Sequence, residues 1–282
     1  MIYYISGPES TVKNVKERLM DDDKASHYLL SFATSSKHFD EFYRDGKNTI
    51  MIDSGAFSAW NSGKIIDREE YLAYCKKLPE EVYKINLDVI PQTGSSVAEK
   101  LKCTEESFKN FVYLQKHLKN VLPVHHYGED ISLMHRFVNE CDYICISPAN
   151  DTSEKIKRNY FKYLFSQIDL NVKTHALGYS SFSGCGLFPF YSVDSIAYKR
   201  TQMYGDLIYR KSDGSYMYMS MWDYAKLNGI QYDRDAGMAA NKELLEEATY
   251  FHIQNLLNRF KELGEINKTK NFNYLKQQLT LF

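Results

Sequence analysis

Three aspartates stand where apolar, strand-like runs end. Asp53 closes the run 50–52 before a Ser-Gly turn, and Asp88 and Asp194 close similar runs. The C-terminal ends of buried parallel strands are where such folds place their chemistry, and carboxylates gathered there can act as nucleophile or as general acid and base. An Asp after a strand is also a common helix cap or turn residue. That simpler interpretation suits each aspartate singly, whereas the three together favour one shared site.

Strands and helices alternate along the chain that would position these aspartates. Runs of apolar and β-branched residues predict eight strands, at 2–6, 28–33, 49–53, 82–88, 121–126, 142–147, 172–177 and 190–194. Helical spacing is found between most of them, at 10–20, 67–78, 97–119, 129–140 and 152–169. This alternation predicts the α/β class and a (β/α)8 TIM-like barrel.

The pattern changes after the eighth strand. Two β-like runs, 207–211 and 216–221, flank a Ser-Asp-Gly-Ser turn and predict a hairpin, and 240–263 has the spacing of a long amphipathic helix. The glycine-rich connection 178–189 is predicted to be a loop at the barrel mouth that can move over a ligand. No linker-like tract divides the 282 residues. We therefore expect one domain over 1–282, with the barrel in 1–200 and the hairpin and C-terminal helices in 201–282.

Composition limits the classes of function. The formal net charge of -1 argues against a uniformly basic nucleic-acid binder but leaves room for a local basic face. No apolar stretch reaches the roughly 20 residues of a membrane span, and the first residues lack the basic start of a signal peptide. We therefore expect a cytoplasmic protein with no membrane partner. The five cysteines are dispersed without a CxxC pair, so neither a disulfide framework nor a structural zinc site is predicted.

Several motifs occur in the order found in one enzyme family. Asp53-Ser54-Gly55-Ala56-Phe57 resembles the Asp-Ser-Gly-Gly-Phe motif of the tRNA-guanine transglycosylases, a family with phage and bacterial relatives that insert 7-deazaguanines into DNA. The resemblance covers roughly residues 50 to 260 at low identity. The further matching segments are Asp88-Val89-Ile90-Pro91, 123–128, His175-Ala176-Leu177-Gly178, and Val193-Asp194-Ser195 with the basic pair Lys199-Arg200.

The resemblance implies a pentosyltransferase that exchanges a base without breaking the nucleic-acid backbone. Asp194 would be the nucleophile at C1′, Asp53 the general acid and base, and Asp88 the reader of the guanine or 7-deazaguanine edge. The substrate-binding residues would also include Ser54, Gly55, His125, His126, Gly178 and Tyr179. The exchange also requires a flipped-out nucleotide, for which Tyr127, Tyr179 and Phe57 are candidate stacking partners.

Two departures from the family qualify these expectations. The Cys-x-Cys-x-x-Cys and His zinc site is absent, since residues 222–240 contain no cysteine, and we expect no metal and no cofactor. The family's base-reading Gln is replaced by His125 or His126, which point to opposite faces if they lie on a strand. His175 is interpreted as structural. The missing zinc subdomain favours DNA over tRNA and the compact phage-encoded branch, which would act in host cytoplasm.

Other functions remain open at this stage. The same residues fit a queuine tRNA-ribosyltransferase-like enzyme acting on tRNA, or a nucleoside or glycoside hydrolase in which water resolves the intermediate. A non-catalytic partner subunit is a third alternative, although it would not need the nucleophile. Self-association as a homodimer is also left open. The candidate contacts to the nucleic-acid backbone are Lys199, Arg200, Arg210 and Lys211, although a solvated hairpin face explains the last two equally well.

Overall fold

A ring of parallel strands forms the centre of this computed structural model, which describes residues 1–21, 26–92, 94–149 and 152–277. The order of neighbours in the sheet is β5-β4-β3-β2-β1-β9-β8-β7-β6, and every pairing within it is parallel. The strands are β1 Ile2–Ser6, β2 His27–Ser31, β3 Thr49–Asp53, β4 Tyr83–Ile85, β5 Val121–Leu122, β6 Val124–His126, β7 Tyr143–Ser147, β8 Lys173–Ala176 and β9 Ser192–Ser195.

The two edges of this sheet belong to one stretch of chain. Only Pro123 separates β5 from β6, and the backbone N–H of Asn86 donates to Leu122 O at 2.8 Å while that of Cys145 donates to Pro123 O at 2.9 Å. Proline has no N–H to give to a strand ladder, which explains the interruption. The segment 121–126 is thus the fifth of the eight predicted strands and links both edges. The predicted (β/α)8 TIM-like architecture is confirmed.

Helices connect the strands and cover the outside of the barrel. They are α1 Lys13–Asp21, α2 Phe32–Ser35, α3 Phe39–Tyr43, α4 Ala56–Asn61, α5 Arg68–Cys75, α6 Val97–Gln115, α7 Ile131–Glu140, α8 Glu154–Gln167, α9 Phe182–Cys185 and α10 Lys199–Tyr204, with 3-10 turns at Pro8–Ser10 and Ser36–His38. The outer core lies between these helices and the strands.

Several predicted boundaries were wrong. The strand predicted at 28–33 ends at Ser31, because the Ser31 N–H donates to the Ser35 hydroxyl at 2.7 Å and the chain turns into α2. The strand predicted at 82–88 ends at Ile85, beyond which the Asn86 side chain donates to Ser107 O on α6. The connection 178–189 is not entirely loop, since it contains the four-residue helix α9.

The predicted hairpin and long helix are both present. β10 Asp206–Arg210 pairs antiparallel with β11 Tyr216–Ser220. Two short helices follow, α11 Met221–Asn228 and α12 Gly237–Ala240, and then α13 Lys242–Lys268 and α14 Tyr274–Gln277. The helix α13 packs against β10, α1 and β1, with the Phe260 ring stacked 4.8 Å from that of Tyr3. No helix in the described part of the chain is long and apolar enough to cross a membrane.

The barrel interior is apolar along most of its length and polar at the mouth, which lies at the C-terminal ends of the strands. Its apolar cluster includes Tyr4, Leu29, Met51, Ile85, Leu122, Val124, Tyr143 and Cys145. Side chains alternate between the two faces of a strand, so the residue two positions after an inward-facing one also faces inward. This rule puts Ser6 above Tyr4, Ser31 above Leu29, Asp53 above Met51 and His126 above Val124. The strand register therefore builds a polar layer at the C-terminal end of the barrel.

Candidate functional site

Asp194 lies in this polar layer and is held by three partners. It is only 6% exposed. Its Oδ2 accepts a hydrogen bond from the Ser6 hydroxyl at 2.5 Å, and its Oδ1 accepts from the backbone N–H of Gly178 at 2.8 Å. The Nε2 of His175 lies 3.2 Å from the same Oδ1. Donors from β1, β8 and the segment after β8 therefore fix the orientation of this carboxylate.

A chain of buried polar groups continues inward from Asp194. The Nδ1 of His175 lies 2.6 Å from Ser192 Oγ, which lies 2.5 Å from the hydroxyl of Tyr143. When His175 is neutral and donates from Nε2 to the Asp194 carboxylate, its Nδ1 accepts from the Ser192 hydroxyl. Tyr143 then donates to Ser192, and burial raises the pKa of Tyr143 far above its ordinary value. The relay has one consistent direction, from Tyr143 to Asp194.

Asp53 has a different environment at the end of β3. Its Oδ2 accepts one hydrogen bond, from the backbone N–H of Gly55 at 3.0 Å. Burial is the main cause of a raised pKa, the negative charges of Asp88 and Asp194 add to it, and together they bring the pKa of Asp53 to about 7. A carboxyl group with this pKa can both give and take a proton near neutral pH.

The turn after Asp53 depends on glycine. Gly55 has a φ of +80°, and a Cβ there would lie 2.5 Å from Ala33 Cβ and 2.7 Å from Ser31 Oγ. An L side chain would therefore be both strained and in collision. Ser54 is buried beside it, and its Oγ accepts from the Ala56 N–H at 3.4 Å. These two residues shape the turn that holds the Asp53 carboxylate.

Asp88 is paired with His126. The Nε2 of His126 lies 3.0 Å from Asp88 Oδ2, and the other carboxylate oxygen accepts from Asn86 Nδ2 at 3.2 Å. Burial lowers the pKa of an imidazole, but the nearby Asp88 carboxylate outweighs it and raises the pKa of His126. The Glu129 carboxylate accepts from the backbone N–H of His126 at 2.7 Å. Asp88 therefore enters the site in contact with the His126 imidazole and the Asn86 amide.

The negative charges of the three aspartates all affect the pKa of one buried thiol, that of Cys145. Burial raises the pKa of Cys145 well above its ordinary value, and the charges of Asp88, Asp194 and Asp53 all raise it further. Cys145 is fully buried in the barrel interior, directly below the polar layer. The three carboxylates therefore lie within electrostatic range of one group below the barrel mouth, and Asp88 and Asp194 also act on Asp53.

The adjacent histidines diverge, and His125 does not reach this site. It is 1% exposed, and its Nδ1 lies 2.8 Å from the hydroxyl of Tyr160 on α8. Burial lowers the pKa of His125 to about 4, so this imidazole is neutral. Of the two, His126 faces the aspartates.

Of the two candidates after β8, Gly178 contacts the site and Tyr179 does not. The N–H of Gly178 contacts Asp194, but the Tyr179 hydroxyl points away and donates to Glu154 Oε1 on α8 at 2.7 Å. The ring of Tyr179 is buried against Phe161, so it lines the outer core rather than the mouth. The other two stacking candidates, Phe57 and Tyr127, are about half exposed.

Two of the four basic candidates follow β9 and two lie within the hairpin, and most are already engaged. Lys199 Nζ donates to Ser10 Oγ at 2.6 Å, in the segment after β1. Arg200 pairs with Asp206 at 2.8 Å, and Arg210 with Glu262 at 3.2 Å. Lys211 is exposed, and no ion pair is found for its ammonium group within the described residues.

The described ranges contain no group of three or more His, Cys, Asp or Glu side chains arranged to hold a metal ion. All five cysteines have free thiols.

Sequence reasoning missed the partners of the aspartates. Ser6 and Ser192 lie on inward-facing positions of β1 and β9. Tyr143 comes from β7, and Asn86 directly follows β4. A signal for Ser6 was present, because a polar residue there closes an apolar strand just as Asp53 does. His175, interpreted from sequence as structural, is one of these partners, because its Nε2 contacts Asp194.

Comparison with known proteins does not add a family assignment. No protein-family model matches this chain. No curated protein matches it either.

Proposed function

We propose that this chain is a nucleic-acid base-exchange enzyme, which replaces guanine in DNA with a 7-deazaguanine derivative through a covalent aspartyl-glycosyl intermediate. The observation that carries the proposal is the difference between two carboxylates at one barrel mouth. Asp194 is oriented by three partners, whereas Asp53 has one backbone donor and a pKa of about 7. A nucleophile and a proton carrier need these two different environments.

In the first half of the reaction, Asp194 forms a bond to C1′ of the target nucleotide. The bond from C1′ to N9 of guanine breaks, and its electron pair leaves with the base, which takes a proton from Asp53. Asp194 Oδ2 accepts only the Ser6 hydroxyl among the described residues, so this oxygen keeps a lone pair for the attack. The phosphodiester backbone is untouched.

In the second half, the incoming 7-deazaguanine replaces the departed guanine. Its N9–H gives a proton to the now ionised Asp53, and N9 attacks C1′ to release the Asp194 carboxylate. One group with a pKa near 7 serves both steps, because it is protonated for the first and ionised for the second.

Asp88 and His126 supply the recognition of the base in this proposal. A carboxylate accepts hydrogen bonds, and guanine and 7-deazaguanine present N–H donors at N1 and the 2-amino group. His126 holds Asp88 from the side at 3.0 Å. The imidazole stands where the related enzymes have a Gln, so it also changes which groups on the base are read.

The proposal is tested by incubating the purified protein with a guanine-containing oligodeoxynucleotide, or with tRNA, and a set of 7-deazaguanine bases. Digestion and mass spectrometry of the nucleosides then identify any exchange. We expect 7-deazaguanine nucleosides in DNA, their loss in Asp194→Ala, and wild-type exchange in Asp142→Asn, an exposed carboxylate before β7. Exchange in tRNA alone would overturn the choice of DNA. Release of guanine without an incoming base would show a hydrolase instead.

A further inference from the structure

An exposed aromatic surface lies beside the barrel mouth. It consists of Ile196, Met203, Tyr204 and Tyr218, which are 54%, 59%, 62% and 56% exposed, together with Arg200; we call it the aromatic flank. Large apolar side chains on a surface are unremarkable when scattered, but Tyr204 and Tyr218 both contact Arg200, and Ile196 and Met203 lie within four residues of Arg200 in the chain. Nothing in the base-exchange chemistry described above uses them.

Arg200 joins the two tyrosines. Its guanidinium carbon lies 5.5 Å from the ring centre of Tyr204 and 5.2 Å from that of Tyr218. Asp206 holds the same guanidinium through a 2.8 Å contact. The cation therefore orders two rings that come from different elements, α10 and β11, while more than half of each ring residue remains open to solvent.

The flank begins at the rim of the candidate site. Ile196 is two residues after Asp194, and the backbone carbonyl of Ser195 between them accepts from the Tyr3 hydroxyl. Lys199, the first residue of α10, contacts Ser10 in the segment that follows β1. The helix α10 carries two cations and no acid over Lys199–Tyr204. A DNA strand that placed one nucleotide over Asp194 would lay the adjacent nucleotides along this flank.

We propose that the aromatic flank stacks the unpaired bases of the DNA strand next to the nucleotide that enters the site. Aromatic rings bind bases of any sequence through their faces, and Arg200 holds the two rings of the flank side by side. Base exchange requires an unstacked nucleotide, whose neighbours lose a stacking partner that the flank can replace. The proposal rests on the proposed function for its choice of ligand.

The test measures binding rather than catalysis. A fluorescent single-stranded oligodeoxynucleotide, and the same strand made of abasic residues, are titrated with the wild-type protein and with a Tyr204→Leu, Tyr218→Leu double variant. Stacking is worth about 1–3 kcal/mol per base, so we expect about tenfold or greater weakening for the normal strand. The abasic strand should bind both proteins equally. The Tyr204→Phe, Tyr218→Phe variant keeps the rings and should stay within about twofold of wild type.

A matched control and three outcomes make the result decisive. Tyr163→Leu removes a half-exposed ring from α8 and should bind both strands as wild type does. The proposal is overturned if the Leu variant binds the normal strand like wild type, or if it loses equal affinity for the abasic strand. It is also overturned if the Leu variant instead splits a dimer seen by sedimentation. A protein that stacks bases through the flank but exchanges none would refute only the proposed function.

Discussion

The Nε2 of His126 lies 3.0 Å from Oδ2 of Asp88, which joins the end of β6 to the segment after β4. Against the opposing effect of burial, the Asp88 carboxylate raises the pKa of His126, so the two side chains of this pair are electrostatically coupled. Asp53, by contrast, has a single hydrogen-bond donor and a pKa of about 7. In the proposed reaction we therefore assign the proton-carrying role to Asp53.

The first prediction concerns stability and pH. The folded-state pKa of Asp53 is about 7, above its unfolded value near 4, so wild type loses stability as pH rises between these values. Asp53→Asn carries no charge and avoids this loss. We expect the variant to melt at nearly the wild-type temperature at pH 4 and to be more stable at pH 8, by up to about 4 kcal/mol. Equal stability at pH 8 would show that Asp53 has an ordinary pKa.

A second prediction concerns the turn beside Asp53. Gly55→Ala forces a Cβ to within 2.5 Å of Ala33 Cβ at a φ of +80°, and we expect a loss of about 2 kcal/mol or more with impaired exchange. Gly63→Ala is the control, because Gly63 has a φ of +66° and no atom within 4 Å of the added Cβ. Thermal melts should show the smaller loss for Gly63→Ala. Equal losses would mean that backbone strain alone, without collision, explains the glycine.

The third prediction separates positioning of Asp194 from stability. Ser192→Ala removes the hydroxyl that contacts Nδ1 of His175, so His175 no longer holds its Nε2 firmly against Asp194 and the carboxylate keeps only its Ser6 and Gly178 donors. We expect kcat to fall on the order of tenfold to a hundredfold with little change in KM for the incoming base. Thr201→Val breaks a similar buried contact, to His252 at 2.8 Å. It should lower the melting temperature and leave kcat unchanged. A Ser192→Ala enzyme with wild-type kcat would show that the relay is only structural.

The fourth prediction concerns the nucleic-acid backbone. If Lys199 and Lys211 contact phosphates, changing either to Gln should weaken binding to all sequences alike and reduce the slope of log affinity against log salt by about 1. Arg210→Gln should have a smaller effect, because Arg210 is already paired with Glu262. Lys119→Gln, which removes a cation paired with Glu80, is the control. An unchanged salt slope in the Lys199 and Lys211 variants would place the backbone elsewhere.

Apolar strand patterns predicted most of the barrel, because each buried parallel strand must be a nearly continuous apolar run. The break at Pro123 was not predicted, because a hydrophobicity pattern contains no information on a missing backbone N–H. The strand predicted at 82–88 was too long for a different reason. The side chain of Asn86 bonds to Ser107 O across 21 residues, and a local pattern contains no information on such a contact.

The candidate site, like the barrel, was only partly predictable from the sequence. Asp53 and Asp194 were found because a carboxylate that closes an apolar run is visible in sequence. Their environments were not visible, since Ser6 meets Asp194 from 188 residues away and Tyr143 meets Ser192 from 49 residues away. Alternation along a strand indicated that only one of His125 and His126 faces inward, and strand register selects His126.

The most direct measurement of the central claim is the identity of the residue that bonds to C1′. The protein is mixed with a guanine-containing oligodeoxynucleotide without an incoming base, denatured, digested and sequenced by mass spectrometry. We predict a deoxyribosyl-DNA adduct on the peptide that contains Asp194, its absence in Asp194→Ala, and its discharge when a 7-deazaguanine is added before denaturation. An adduct on Asp53 or Asp88, or normal base exchange by Asp194→Ala, would contradict the account.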